Sequence, residues 1–152
     1  MKISTMILLA ALMLPVPAIS LAADADTGSA PHIAKVGEPA PPFALDALVG
    51  TQPGKEFKKI TLNELRGKWV VLFFYPMDFT FVCPTEIKGF NEALPEFSKL
   101  NAVLLGASTD SKYSHLAWVQ RGDLGALKYP LLSDLKKETA TSYGCLDDIE
   151  YA

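Results

Sequence analysis

Two uninterrupted apolar runs constrain the fold of this chain most. They are Trp69–Tyr75 (WVVLFFY) and Ala102–Ala107 (AVLLGA), and neither alternates apolar with polar residues. A short run of this kind is typical of a strand buried on both faces of a parallel sheet. Between the runs, four apolar residues recur at helical spacing: Ile87, Phe90, Leu94 and Phe97. The pattern predicts a right-handed strand–helix–strand unit and therefore an α/β domain.

Prolines limit the predicted helix. Proline is tolerated only in the first turn of a helix, so Pro84 places the helix start between Asp78 and Cys83. Either Asp78 or Thr80 can supply the capping oxygen. Pro95 lies in the interior of the same helix, where its ring is expected to kink or divide it.

The segments before the first apolar run are shorter and more polar. The domain begins near Lys35–Phe43 (KVGEPAPPF), and Gly54–Lys59 is predicted to be a polar turn. The sequence Thr61–Glu64 (TLNE) has the form of a capping box, which opens a short helix that Gly67 ends.

Beyond the second run, the alternation of elements continues. Asp110 is predicted to cap a helix that carries His115 and Trp118 on one face, where both are interpreted as packing or subunit-contact residues. Pro130–Leu132 is a third strand candidate. Leu135–Tyr143 follows as a helix that the next glycine ends.

The N-terminal residues have the pattern of an export signal. One lysine precedes an apolar stretch and two prolines, and Ser20 and Ala22 occupy the small-residue positions of a cleavage site. The apolar stretch is too short to cross a bilayer. We therefore expect residues 1–22 to be a signal peptide, residues 23–34 a linker, and residues 35–152 the exported domain. The expected location is the periplasm, with the secretory pathway or the extracellular space as the alternative.

Composition limits the partners and the covalent design. The chain has 152 residues, a net charge of −3 and a pI near 5.3, so neither nucleic acid nor an anionic membrane would attract it. Cys83 and Cys145 are its two cysteines, which excludes a scaffold of several disulfides even in an oxidising compartment.

Cys83 is the candidate nucleophile. It lies in the first helical turn beyond the end of a buried strand, where free backbone N–H groups and the helix dipole stabilise a thiolate. Thr80 lies one turn earlier and can aim its hydroxyl at the atom under attack, while Pro76 adds an apolar wall. A thiolate of this kind oxidises to a sulfenic acid. The alternative is an inert cysteine buried at a strand–helix junction.

These residues carry a resemblance to a known family. The stretch FFYPMDFTFVCPTE, Phe73–Glu86, is similar to the active-site signature of typical 2-Cys peroxiredoxins. The resemblance implies a thioredoxin-like fold and a thiol peroxidase without metal or organic cofactor. Cys83 would attack a peroxide that Thr80 binds, Pro76 would shield the thiolate, and Glu86 would orient an arginine. It also implies a thioredoxin-type or other dithiol reductant and a homodimer or larger homo-oligomer.

The chain also departs from the family pattern. Arg66 and Arg121 do not match the family's active-site arginine, and the C-terminal resolving cysteine has no counterpart. The sequence resembles the N-terminal two-thirds of an exported peroxiredoxin. The alternative function is therefore an inactive or client-binding fragment of holdase type. A thiol–disulfide oxidoreductase or copper chaperone would need a second cysteine where Glu86 and Ile87 stand.

Three further features keep alternatives open. Cys145 is interpreted as a small buried hydrophobe, or alternatively as a substitute resolving cysteine. For His115, the alternative to a packing or subunit-contact residue is a catalytic role. The acids Asp147, Asp148 and Glu150 are interpreted as solvated side chains rather than as a metal site.

Overall fold

The computed structural model describes residues 33–81 and 83–146. Within them, one mixed sheet has the strand order β2-β1-β5-β4-β3. The strands are β1 (Ala44–Leu48), β2 (Phe57–Thr61), β3 (Trp69–Phe74), β4 (Ala102–Ser108) and β5 (Leu131–Ser133). The α-helices are α1 (Cys83–Lys99), α2 (Lys112–Arg121) and α3 (Glu138–Ser142), and a short 3₁₀ helix spans Leu62–Leu65. The predicted α/β class is confirmed. The predicted signal peptide, most of the linker, and the acids Asp147, Asp148 and Glu150 lie outside the described residues.

The strand–helix–strand unit is present as predicted. β3 and β4 pair in parallel, from Trp69 opposite Ala102 to Phe74 opposite Ala107, and α1 connects them. Ile87 is fully buried, and three further apolar residues of α1 pack on the same cluster: Phe90, Leu94 and Phe97. The helical periodicity therefore identified the buried face of α1 correctly.

β3 packs residues on the apolar clusters of both faces, as predicted, but it is only half-buried, whereas β4 is largely buried. β4 lies between β3 and β5, and its last five residues are buried. Among the described residues β3 pairs with β4 alone, and Trp69 at its start is 76% exposed. The two runs have similar composition, so the difference comes from their places in the sheet. An edge strand has a neighbour on one side only.

α1 is not divided at Pro95. The helix is continuous from Cys83 to Lys99. Proline removes one donor, which would have bonded the carbonyl of Asn91. The Asn91 side chain fixes the helix at this point, because it donates to the Ala126 carbonyl at 3.0 Å and accepts from the Lys128 N–H at 2.8 Å.

Two strands precede the first apolar run where the sequence predicted only a turn. β1 and β2 pair antiparallel, so half of the predicted turn Gly54–Lys59 belongs to β2. Lys58 and Lys59 are exposed and Ile60 is buried. This short edge strand has too few apolar residues to give a strong signal. The capping box Thr61–Glu64 is confirmed by both of its hydrogen bonds.

Several element boundaries differ from those expected. Ser111 rather than Asp110 caps α2, since its hydroxyl accepts the Ser114 N–H at 3.1 Å. α3 begins at Glu138 rather than at residue 135. The buried carboxylate of Asp134 accepts the N–H groups of the second and third residues of α3, which fixes that start. The third strand is shifted by one residue, to Leu131–Ser133.

The sheet separates two apolar clusters. Leu104 and Leu131 belong to one cluster, and the next residue of each strand, Leu105 and Leu132, belongs to the other. This follows from the two-residue period of a strand. Residues of α1 and α2 cover the first cluster. None of the helices described here is long and apolar enough to cross a membrane.

Candidate active site

The three predicted site residues lie at the carboxyl end of β3. Cys83 is the first residue of α1 and is 5% exposed. Pro76 and Thr80 belong to the loop that joins β3 to α1, where Pro76 is exposed and Thr80 half-buried. Ligands of open α/β sheets bind at this end of the strands. The structure therefore places the thiol, the hydroxyl and the proline in one short segment.

Cys83 opens a helix of 17 residues, so the N–H groups of the first turn lie around it. Pro84 is the second residue of α1, which confirms the predicted start. Neither predicted cap is used, however. The Thr80 hydroxyl donates to the Met77 carbonyl at 3.2 Å, and the Asp78 carboxylate is engaged elsewhere. The lone pairs of the Thr80 oxygen remain available to a hydrogen-bond donor.

Asp78 is the centre of a buried polar network. Its side chain accepts the Tyr75 hydroxyl at 3.0 Å and lies 2.8 Å from Nδ1 of His115. Burial, and then the charge of Asp78, raise the pKa of the Tyr75 hydroxyl far above its usual range. Tyr75 is therefore a lasting donor to the carboxylate.

His115 joins this network to the sheet. Its side chain is 0% exposed, and Nε2 lies 3.2 Å from the carbonyl oxygen of Leu132 in β5. The ring therefore meets an oxygen acceptor at each nitrogen. His115 and Trp118 are both fully buried within one chain, so the interpretation as packing residues is right and subunit contact is wrong.

The loop also contacts α2 through Phe79 and the backbone. Phe79 has a φ of 61°, a left-handed conformation that is rare for residues other than glycine. Its ring centroid lies 6.0 Å from that of Trp118 and 4.9 Å from the guanidinium carbon of Arg121. The N–H of Asp78 donates to Asp110 at 2.8 Å. The carboxylate expected to cap α2 therefore holds the active-site loop instead.

The other charged residues considered from the sequence, Glu86, Arg66 and Arg121, do not belong to the buried network around Asp78. Glu86 is exposed in the first turn of α1 and forms no ion pair with any other described residue. Arg66 donates to Asn63, and Arg121 pairs with Asp123. That carboxylate has its pKa lowered chiefly by the hydrogen bond from Arg121. Neither arginine is bonded to Glu86.

Cys145 differs from its interpretation as a small buried hydrophobe. It is exposed rather than buried, and it follows the turn after α3 with no strand assigned at its position. Its N–H bonds the Ala140 carbonyl at 2.9 Å. Partial desolvation raises the pKa of the Cys145 thiol, which disfavours the thiolate there. The part of the chain that the structure describes contains no cluster of residues able to hold a metal ion.

Sequence reasoning missed the roles of Tyr75 and Asp78. A signal was available, because Asp78 is one carboxylate within the apolar stretch FFYPMDFTFV. A buried carboxylate needs hydrogen-bonding or charged partners. The chain has two histidines, and His115 is the one in the domain's helical segments.

The fold and the site together define a class: an α/β domain with a single buried cysteine at the start of its longest described helix. A family model described as the AhpC/TSA family matches residues 36–151. The chain belongs to the AhpC/TSA family. The predicted resemblance to peroxiredoxins is thereby confirmed.

Known proteins agree with this assignment. The chain is 49% identical to a peroxiredoxin of Cynops pyrrhogaster over 121 residues, which are 77% of this chain and 59% of that protein. It is 48% identical to Peroxiredoxin-1 of Gallus gallus over 119 residues, or 76% and 58% of the two chains. AhpC of Mycobacterium bovis has a similar structure, with a TM-score of 0.69, 42% identity, and coverage of 76% and 70%. The thioredoxin-like fold is confirmed. The chain spans less than two thirds of these two relatives' length.

Proposed function

We propose that this protein is a thiol-dependent peroxidase that reduces hydrogen peroxide and organic hydroperoxides. The observation that carries the proposal is the position of Cys83, buried at the first turn of α1 behind a loop that holds Thr80 and Pro76. Membership of the AhpC/TSA family supports the same chemistry over the alternative of a client-binding fragment.

The reaction takes two stages. The Cys83 thiolate attacks one oxygen of the peroxide, so that an S–O bond forms while the O–O bond breaks. The leaving oxygen takes a proton and departs as water or an alcohol, and the sulfur is oxidised to a sulfenic acid. A dithiol reductant then forms a mixed disulfide with Cys83 and releases water. The reductant's second thiol displaces Cys83 and completes the reductant's own disulfide.

The neighbouring residues act by position and polarity. The N–H groups at the start of α1 stabilise the thiolate. The Thr80 hydroxyl donates a hydrogen bond to the Met77 carbonyl, and its oxygen accepts one from the peroxide O–H. Pro76 offers no N–H that would compete for the peroxide. Glu86 is exposed and unpaired in the described residues, which suits the orientation of an arginine from elsewhere.

The wider context follows from the sequence. We propose export through the N-terminal segment, a location in the periplasm, and a role in antioxidant defence and redox homeostasis. A homodimer or larger homo-oligomer is the proposed assembly, and a thioredoxin-type dithiol the proposed reductant. The sequence resemblance and the family assignment support these proposals.

Replacement of each cysteine in turn tests the function. Cys83→Ser should abolish peroxide consumption and the labelling of sulfenic acid by a dimedone-type probe. The matched control Cys145→Ser removes the other thiol and should retain the probe labelling at Cys83. Mass spectrometry after a short pulse of hydrogen peroxide measures both. Undiminished peroxide consumption by Cys83→Ser would refute the proposal.

A further inference from the structure

We propose that Asp78 and His115 are positioning residues that hold the loop between β3 and α1 in the geometry required by the reaction at Cys83. The inference rests on the proposed peroxidase function. In the proposed reaction, neither Asp78 nor His115 touches the reacting atoms. They act through the loop, which carries Pro76 before Asp78 and Thr80 after it.

Directional hydrogen bonds fix the pair on all sides. The two carboxylate oxygens of Asp78 lie 2.8 and 3.1 Å from Nδ1 of His115, and one of them also accepts the Tyr75 hydroxyl. On the far side of the ring, Nε2 lies 3.2 Å from the Leu132 carbonyl. The Asp78 side chain is 1% exposed, so water does not compete for these bonds. The loop is thereby tied to α2 and to β5 at once.

The contacts next to the pair depend on the same placement. The Asp78 N–H donates to Asp110, and Phe79 adopts its left-handed conformation with its ring close to both Trp118 and Arg121. A non-glycine residue persists in this conformation only where its surroundings hold it. Loss of the pair would leave a buried charge or an unpaired ring. The loop would then move, and the Thr80 hydroxyl would move with it.

Two reactions of one thiol separate positioning from general stability. Reaction with hydrogen peroxide needs the sulfur and an oriented peroxide, and is therefore sensitive to the place of Thr80. Alkylation by iodoacetamide needs a reactive, accessible sulfur but not the hydroxyl. In a variant that remains folded, as its unfolding transition shows, the ratio of the two rates at Cys83 therefore reports the geometry of the loop. Partial unfolding is detected separately, because it exposes the buried thiol and raises the alkylation rate.

The experiment measures both rates at Cys83 in the full chain and in five variants. Asp78→Ala and His115→Phe break the pair. Asp78→Asn retains a hydrogen bond, because its amide can donate to Nδ1 while Nε2–H donates to Leu132. Tyr75→Phe removes one hydrogen bond and preserves volume. Asp134→Asn is the matched control, since Asp134 is an equally buried carboxylate that bonds the start of α3 and not the loop.

Breaking the pair should lower the peroxide-to-alkylation ratio by roughly tenfold to a hundredfold. Asp78→Asn should stay within about threefold of the unchanged chain, and Tyr75→Phe should lower the ratio about threefold. Asp134→Asn should lower the melting temperature and leave the ratio unchanged.

Unchanged ratios in folded Asp78→Ala or His115→Phe would overturn the inference. If neither folds, an unchanged ratio in Tyr75→Phe would do so. If the protein without any substitution does not react with peroxide, the proposed function is refuted instead.

Discussion

At the scale of single residues, the proposed chemistry depends on the hydroxyl of Thr80, which lies three residues before Cys83. The Thr80 hydroxyl already donates its hydrogen bond to the Met77 carbonyl. The lone pairs of its oxygen therefore remain as acceptors. A peroxide carries an O–H that such an oxygen can accept. In the proposed reaction, the hydroxyl would therefore orient the peroxide rather than activate the thiol.

Thr80→Val tests this role with almost no change in shape. The variant should lower the rate of the Cys83–peroxide reaction by roughly a hundredfold, because one pre-oriented hydrogen bond to the reacting group is lost. Thr80→Ser retains the hydroxyl and should stay within about threefold of the unchanged chain. Stopped-flow measurement of the oxidation rate distinguishes them. Equal rates for the valine and serine variants would show that the hydroxyl plays no part.

At the scale of elements, the close packing of β4 between its neighbours limits which residues it can carry. Gly106 is buried in the middle of β4, next to Phe73 of β3 and Leu131 of β5. A Cβ at this position would lie 2.9 Å from a ring carbon of Phe73 and 3.0 Å from a methyl carbon of Leu131. The strand therefore needs the absence of a side chain here.

Gly106→Ala should consequently destabilise the domain by about 1–3 kcal/mol through overpacking. Gly89→Ala is the matched control, since Gly89 is exposed in α1 and a Cβ there has nothing within 4 Å. The control should stabilise the domain by about 0.5–1 kcal/mol, because alanine is the better helix former. Urea unfolding of the two variants checks the opposite signs. Stabilisation by Gly106→Ala would contradict the packing argument.

An ion pair connects α2 to the β1–β2 hairpin. Lys112 donates to Asp46 at 2.8 Å, and its ammonium lies 5.3 Å from the centre of the Phe57 ring. The hydrogen bond from Lys112 is the main reason why the pKa of Asp46 is lowered, and the same bond raises the pKa of Lys112. Both side chains are partly exposed, so the stabilisation is modest and screened by salt.

The sign of this effect predicts a pH dependence. A carboxyl whose pKa is lower in the folded state stabilises the fold above its unfolded pKa of about 3.9, and this contribution is lost as the pH falls through the folded pKa. Asp46→Asn should therefore be less stable than the unchanged chain at pH 7, and the difference should shrink below about pH 4. Glu96→Gln, which breaks an exposed pair within α1, is the control and should have a smaller effect. A difference that grows towards low pH would contradict the assignment.

At the scale of the whole molecule, charge and sheet edges govern the protein's interactions. The net charge of −3 disfavours polyanionic partners. Among the described strands, β2 and β3 form the two edges of the sheet. β2 carries the exposed Lys58 and Lys59, and charged residues of this kind discourage pairing with other chains. β3 lacks such lysines within Trp69–Phe74, so it is the more open edge.

The N-terminal segment gives a prediction for the whole chain. Because Ser20 and Ala22 match the small-residue positions of a cleavage site, the mature protein should begin at Ala23. Expression with export, followed by N-terminal sequencing and intact-mass measurement, checks this. The replacement Ala22→Tyr is the control and should block processing. Recovery of a soluble cytoplasmic protein that retains Met1 would contradict export.

The sequence by itself determined the β3–α1–β4 unit and the place of Cys83. Both depend on local chemistry, since an apolar run favours a strand and the first turn of a helix accommodates proline best. Only the tertiary structure decided that β3 is an edge among the described strands, and that Asp78 meets His115, 37 residues away in the chain. Contacts at that separation depend on the strand order and on which helix covers which face. Local periodicity carries no information about either.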